Sequence, residues 1–219
     1  ECCLYDLHKF IDEVIKPNQE LKDLIEFYDG FYAINFPDII FADKVILYEG
    51  DTERMLIKNV LLSERFETLR NQYISFVQVG GAYAIKYKPI LEYLNVKSLI
   101  ITDLDYKTEA ETEADVRQSS STNATINAFA TEALNESTPT VQALYSWKDS
   151  SECIVSNNIC LEFQGQTDGY ARTLEEAMLA KRYNVSVLDT KTKEEWTSLR
   201  ENDKLRFVIP QKADSYSIR

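Results

Sequence analysis

A single histidine, His8, among 219 residues leaves little material for a Ser-His or Cys-His catalytic pair. The four cysteines, Cys2, Cys3, Cys153 and Cys160, never fall at CxxC spacing, so a zinc site is poorly supported as well. Thiols kept in a reducing cytosol are the expectation. Asn123, Asn135 and Asn184 each begin an Asn-x-Ser/Thr match, which matters only in a secreted chain. No basic-then-apolar signal segment opens the sequence, so the expectation is a cytoplasmic protein. No apolar run approaches the roughly 18–20 residues of a membrane span, and no membrane partner is expected. Basic residues are also short: 24 Lys and Arg stand against 36 Asp and Glu, a formal charge of -12. That balance argues against a wide basic face gripping nucleic acid unaided. If DNA is the substrate, another part of a larger protein does most of the holding. The chain starts at Glu1 without Met and stops in mid-pattern at SYSIR, which points to a fragment of something longer.

What is present is a regular alternation. Residues 4–26 show loose helical periodicity broken by KPNQE at Pro17, which predicts two short helices. The aromatic, irregular FYDGFYAINFPDIIFAD comes next and ends in a turn near Asp43. KVILY then predicts a buried strand, TERMLIKNVLLSERF a helix, YISFVQV a strand, GGAYA a turn, KYKPILEYL a helix and SLIIT a third strand ending in DLD. Apolar strands alternating with amphipathic helices predict an α/β fold, a parallel sheet with helices on both faces. Residues 106–136 are rich in Glu, Thr, Ser, Asn and Ala and predict an insertion with a long flexible stretch and one helix over 124–133. Residues 142–149 and 159–163 are read as further strands, TLEEAMLAKRY and KEEWTSLREN as helices, and RFVIP as a short uncertain element. The division expected is a helical connector over 1–42 and one domain over 43–219, with the insertion at about 106–158.

The chemistry concentrates where strands end. In a parallel sheet, ligands collect at the carboxyl ends of the strands. Glu49 lies just past the first strand, Asp103 and Asp105 just past the third, and Glu53 one helical turn beyond Glu49. Carboxylates converging there repel one another, and a hard divalent cation is the usual remedy; oxygen-only ligands without histidine favour magnesium, manganese or calcium. Asp51 fits the plainer role of an acid in a first helical turn, favoured by the macrodipole.

EGDTE after an apolar strand, GGAYA after the second strand and TDLD after the third resemble the Toprim domain, a Rossmann-like fold. The match is closest to the Toprim half of the OLD-family (overcoming lysogenization defect) ATP-dependent endonucleases. FADKVILYEGDTERMLI, QYISFVQVGGAYAIKY, LIITDLD, STNATI and ARTLEEAMLAKRYN resemble stretches of that family in order.

The resemblance implies Mg2+- or Mn2+-dependent cleavage of DNA, an endonuclease or nickase activity in bacterial phage defence, with Ca2+ as an inactive substitute. It implies Glu49, Asp103 and Asp105 as main ligands, Glu53 beside them, and Glu175 or its rival Glu176 for a second metal. Both are equally read as acids favoured in a first helical turn. It also implies a catalytic lysine, for which Lys181 and Lys212 are candidates, though either reads equally as a surface residue. Gly80 and Gly81 are read as close packing or a plain turn beside the site. Ser121, Thr122 and Asn123 are read as lining it, or as a polar loop. No GxxxxGK[ST] segment is present, so ATP and a homo-oligomer are expected only through an ATPase domain outside this chain, with a defence-system partner protein beside it. The alternatives are a primase- or topoisomerase-type Toprim domain and a catalytically silent Toprim scaffold.

Overall fold

The computed structural model of the chain describes residues 6–18, 24–28, 36–80, 83–107, 110–150, 154–156 and 158–189. Strand β1 (Lys44–Tyr48) is apolar after its first residue, and residues 45–48 are all buried, as a strand covered on both faces requires. It lies between β2 (Ile74–Gln78) and β3 (Lys97–Ile101), parallel to both. Beyond β3 the sheet continues through a hairpin of β4 (Ile154–Ser156) and β5 (Ile159–Glu162). β5 is parallel to β3, and β4 closes the edge antiparallel, giving the order β2-β1-β3-β5-β4. The expected α/β Toprim-like architecture, a parallel sheet flanked by helices, is what the chain adopts.

Register decides what meets at the carboxyl ends. Tyr48 pairs with Ile101, and Ile101 with Glu162, so β1, β3 and β5 run out together. The residues just past them, Glu49, then Thr102 and Asp103, then Phe163 and Gln164, therefore emerge along one edge.

Helix α1 (Asp51–Leu61) starts at once after β1, with Gly50 as its extended N-cap. Helix α2 (Lys88–Tyr93) starts with Pro at its first turn, where a missing N–H costs nothing. The N-terminal residues join the same core. Leu7–Lys9 runs into a π-helical turn, Phe10–Ile15, and the Phe10 ring packs 5.2 Å from Tyr28 and 5.0 Å from Tyr93. Tyr28 Oη donates to the Lys86 carbonyl at 2.7 Å, tying this layer to the turn before α2. Leu47 and Ile100 at the sheet centre are fully buried, each worth about 1.5–3 kcal/mol.

Two expectations are corrected. Residues 142–149 are not a strand: they belong to a helix, Val141–Asp149, capped by Thr140, whose hydroxyl accepts from the Ala143 N–H. Its buried positions, Val141, Leu144 and Tyr145, obey the helical three–four spacing. Nor does the stretch over 106–136 carry only the one helix expected over 124–133, which is present; most of the expected flexible stretch is ordered too. A capping box between Thr112 and Asp115 opens α3 (Glu113–Gln118). Asn123 caps α4 (Ala124–Leu134), and isolated bridges pair Tyr106 with Ser121 and Ser120 with Thr140. The helix Val141–Asp149 is α5, and α6 (Leu174–Tyr183), capped by Thr173, follows β5. KEEWTSLREN and RFVIP lie outside the described residues.

Candidate functional site

The first acid is held by the next strand. Glu49 Oε1 accepts from the Thr102 hydroxyl, from the Asp103 N–H at 3.1 Å and from Asn123 Nδ2 at 3.2 Å. Asn123 Nδ2 also reaches Thr102 Oγ1 at 2.7 Å and the Asp103 carbonyl at 3.0 Å. The oxygen of the same amide accepts from the Thr125 and Ile126 N–H groups at 3.0 and 3.2 Å and so caps α4. One buried side chain thus couples a helix start to the strand-end acids. Ser121 and Thr122 serve the backbone beside them: Ser121 Oγ donates to the Leu104 carbonyl at 2.6 Å, and Thr122 Oγ1 to the Asp105 carbonyl at 2.6 Å.

Asp103 is 4% exposed. Its Oδ1 accepts from Gln164 Nε2 at 3.0 Å and from the Leu174 N–H, at the start of α6, at 2.9 Å. Burial pushes its pKa up to about 8, helped by the charges of Glu49, Glu53 and Asp105, while the Leu174 N–H pulls the other way. Asp105 sits in the left-handed backbone region, φ 47°, and donates its N–H to the Arg172 carbonyl at 3.1 Å.

Glu53 is 1% exposed, and its Oε2 accepts from the Gly50 N–H at 2.9 Å, the return half of a capping box. Glu175, also buried, accepts from Thr52 Oγ1 at 2.8 Å, joining the first turns of α1 and α6 across 123 residues of chain. Glu176 instead turns back to the Arg172 N–H at 2.7 Å, and burial raises its pKa. Of the two rivals, Glu175 therefore points toward α1 and Glu176 toward its own cap. An added Cβ at Gly80 would press 3.3 Å from the Tyr83 ring. Lys181 lies in the last turn of α6, about 10 Å along the axis from Leu174 at the usual rise. It pairs there with Asp168 at 3.4 Å. Gly81 and Lys212 lie outside the described residues.

Thr102, Gln164 and Thr52 were missed by sequence reasoning. A signal for Gln164 existed: it stands two residues past β5, as Asp103 stands two past β3, in neighbouring strands that end in register. Only the pairing, which no single strand reveals, makes that offset meaningful.

Among the described residues no group of three or more His, Cys, Asp or Glu forms a ready cage for an ion. Glu49 and Asp103 each give one oxygen to protein donors. The second oxygen of each takes no part in those bonds. The donor set is all carboxylate, at an edge where negative charges already oppose one another, and this chemistry fits a hard divalent cation. Among the described residues no helix is long and apolar enough to cross a membrane.

Residues 40–105 match the family model described as Overcoming lysogenization defect protein-like, TOPRIM domain. Endonuclease GajA from Bacillus cereus (strain HuB5-5) is 27% identical over 203 residues, which cover 87% of this chain and 28% of that protein. The chain thus spans little more than a quarter of that relative's length. No solved structure matches. The resemblance carried by EGDTE, GGAYA and TDLD is borne out: residues 40–105 match the OLD-like Toprim family, and they contain Glu49, Glu53, Asp103 and Asp105.

Proposed function

We propose that this chain is the Toprim half of an OLD-family ATP-dependent nuclease, a Mg2+- or Mn2+-dependent endonuclease or nickase that hydrolyses DNA phosphodiester bonds in bacterial phage defence. The observation that carries the proposal is the register that brings Glu49 and buried Asp103 to one sheet edge, where Glu49 Oε1 accepts from the Asp103 N–H at 3.1 Å. The match to an OLD-like Toprim domain and the similarity to an endonuclease support it.

Glu49, Asp103 and Asp105 would hold one divalent cation, with Glu53 beside them, and Glu175, with Glu176 as rival, would serve a second. Bound there, such ions supply an acidified water and neutralise charge on the leaving oxygen. The chain's own part is to keep the carboxylates fixed. Thr102 and Asn123 hold Glu49, and the Leu174 N–H favours the charged form of Asp103. Lys181 or Lys212 would meet negative charge on the scissile phosphate. With a net charge of -12, DNA is gripped mainly by other parts of the full-length protein, an ATPase domain first among them, working as a homo-oligomer in the cytoplasm with a defence partner.

Plasmid nicking by the full-length protein tests this. Relaxed circles are expected with Mg2+ or Mn2+ and none with EDTA or with Ca2+ alone. Equal nicking in EDTA sinks the proposal, and metal binding without any turnover favours a silent scaffold.

A further inference from the structure

Gln164 is 6% exposed, and its side-chain amide is engaged at both ends. Its Oε1 accepts from the Leu104 N–H at 2.6 Å, and its Nε2 donates to Asp103 Oδ1 at 3.0 Å. Together these bonds decide which way the amide faces. Turned over, it would set NH2 against an N–H and a carbonyl against a carboxylate. The Leu174 N–H brings a second donor to the same Oδ1. Two donors occupy the two acceptor positions of that oxygen, and Oδ2 is left outside the set.

We propose that Gln164 is a positioning residue for Asp103: it clamps Oδ1 to the protein, so that Oδ2 is the oxygen offered to a divalent cation. This inference rests on the metal-dependent function proposed above. The choice of an amide has a physical reason. A lysine or arginine here would orient Asp103 equally well but would cancel the charge that draws a cation. A neutral donor fixes direction and leaves the charge in place. The clamp is also rigid at its base, because Leu104 is the next residue after Asp103 in the chain. Gln164 therefore grips the backbone and the side chain of one short segment, and Asp103 cannot turn about its side-chain bonds without breaking a buried bond.

The test is Mn2+ affinity, read from the electron paramagnetic resonance signal of the free ion, for this chain as wild type, Gln164→Met and Gln164→Asn. Met matches the length and removes both bonds; Asn keeps the amide on a stem too short to span both partners. Melting curves in EDTA identify which variants are folded. The Met variant is expected to bind Mn2+ about 10- to 100-fold more weakly, the usual cost of losing a residue that orients a metal ligand. The Asn variant is expected to fall between it and wild type, and decides the matter alone if the Met variant does not fold. Folded variants that bind as tightly as wild type overturn the inference and leave the proposed function standing. A wild type that binds no Mn2+ removes the proposed function and the inference with it.

Discussion

At the carboxyl ends of β1, β3 and β5, Glu49, Thr102, Asp103, Asn123 and Gln164 hold one another within hydrogen-bonding distance. At the amino ends of the same strands, Val45, Ile46, Leu61, Phe66 and Ile159 wall an apolar cavity of about 600 Å³, with Lys44 and Lys97 also on its lining. The strands are common to both ends, so the contrast comes from what meets them there. Within two residues past each strand stands a polar side chain, Glu49, Thr102 or Gln164, that a neighbouring loop or helix start can grip. At the other end the cavity is walled by apolar side chains of the strands themselves, with Leu61 and Phe66 beyond them, whose contribution scales with area. One end depends on direction, charge and ions; the other depends on packing, which ions do not touch.

Variants at the two ends should therefore separate chemistry from stability. The largest effect is expected from Glu49→Ala with Asp103→Ala: metal-dependent plasmid nicking falls beyond the roughly 100-fold that loss of a ligand-orienting residue costs. Thermal melting of the double variant should hold or rise, because repelling carboxylates are removed. Unchanged nicking would erase the distinction between the ends.

Next is Ile159→Ala at the apolar end. Fully buried Ile159 lines the cavity, and its truncation should cost about 2–5 kcal/mol of stability by denaturant melting while Mn2+ affinity stays at the wild-type value. A parallel loss of Mn2+ binding would mean the two ends are coupled.

A comparable effect is expected from the ion itself. Mg2+ or Mn2+ at a hundredfold excess over Kd should stabilise the chain by about 2.7 kcal/mol, and Glu49→Gln with Asp103→Asn should abolish the shift. In EDTA the pH dependence is led by Asp103, with Glu176, also raised by burial, acting in the same direction. The Asp103 pKa is pushed up to about 8 in the fold against an ordinary 3.8, so between those values the folded chain keeps a proton that the unfolded chain has released. Stability of the metal-free chain should thus fall as pH rises from about 4 to about 8, and Asp103→Asn should flatten that slope. A melting temperature that climbs through this window contradicts the burial of Asp103. The smallest effect belongs to exposed Asp51. Asp51→Ala should lose only about 0.3–1 kcal/mol, its interaction with the first turn of α1, and leave nicking intact.

The strand–helix alternation and the acids at the strand ends were legible because both are local. KVILY and SLIIT announce buried strands by unbroken apolarity, and acids directly after them fall at a sheet edge whatever the loops do. Helix Val141–Asp149 was misread because aromatic and β-branched residues in a short run suit either period. Its N-cap Thr140 gave the deciding signal, the buried positions Val141, Leu144 and Tyr145 completing the pattern only once packed. The polar run SSSTN looked like a loop because its partners are remote: Leu104 and Asp105 accept the bonds that give Ser121 and Thr122 their places. Gln164 illustrates the limit best. Its role depends on a register between β3 and β5, set by packing across an insertion.

The bonds that seat the acids span long stretches of chain: 54 residues from Glu49 to Asp103, 74 from Glu49 to Asn123, 61 from Asp103 to Gln164 and 71 from Asp103 to Leu174. Each closure costs chain entropy before any contact offsets it, so the edge cannot be assembled ahead of the sheet. Synthesis runs in the same direction. Glu49, Glu53, Asp103 and Asp105 leave the ribosome before the Gln164 amide and the α6 N-terminus that fix Asp103. A nascent or half-folded chain carries the carboxylates with no shared edge to hold them. On the function proposed here, a nuclease so arranged acquires its ordered acids only as β5 and α6 dock, and a cell making it is not exposed to the activity of copies in which they have not.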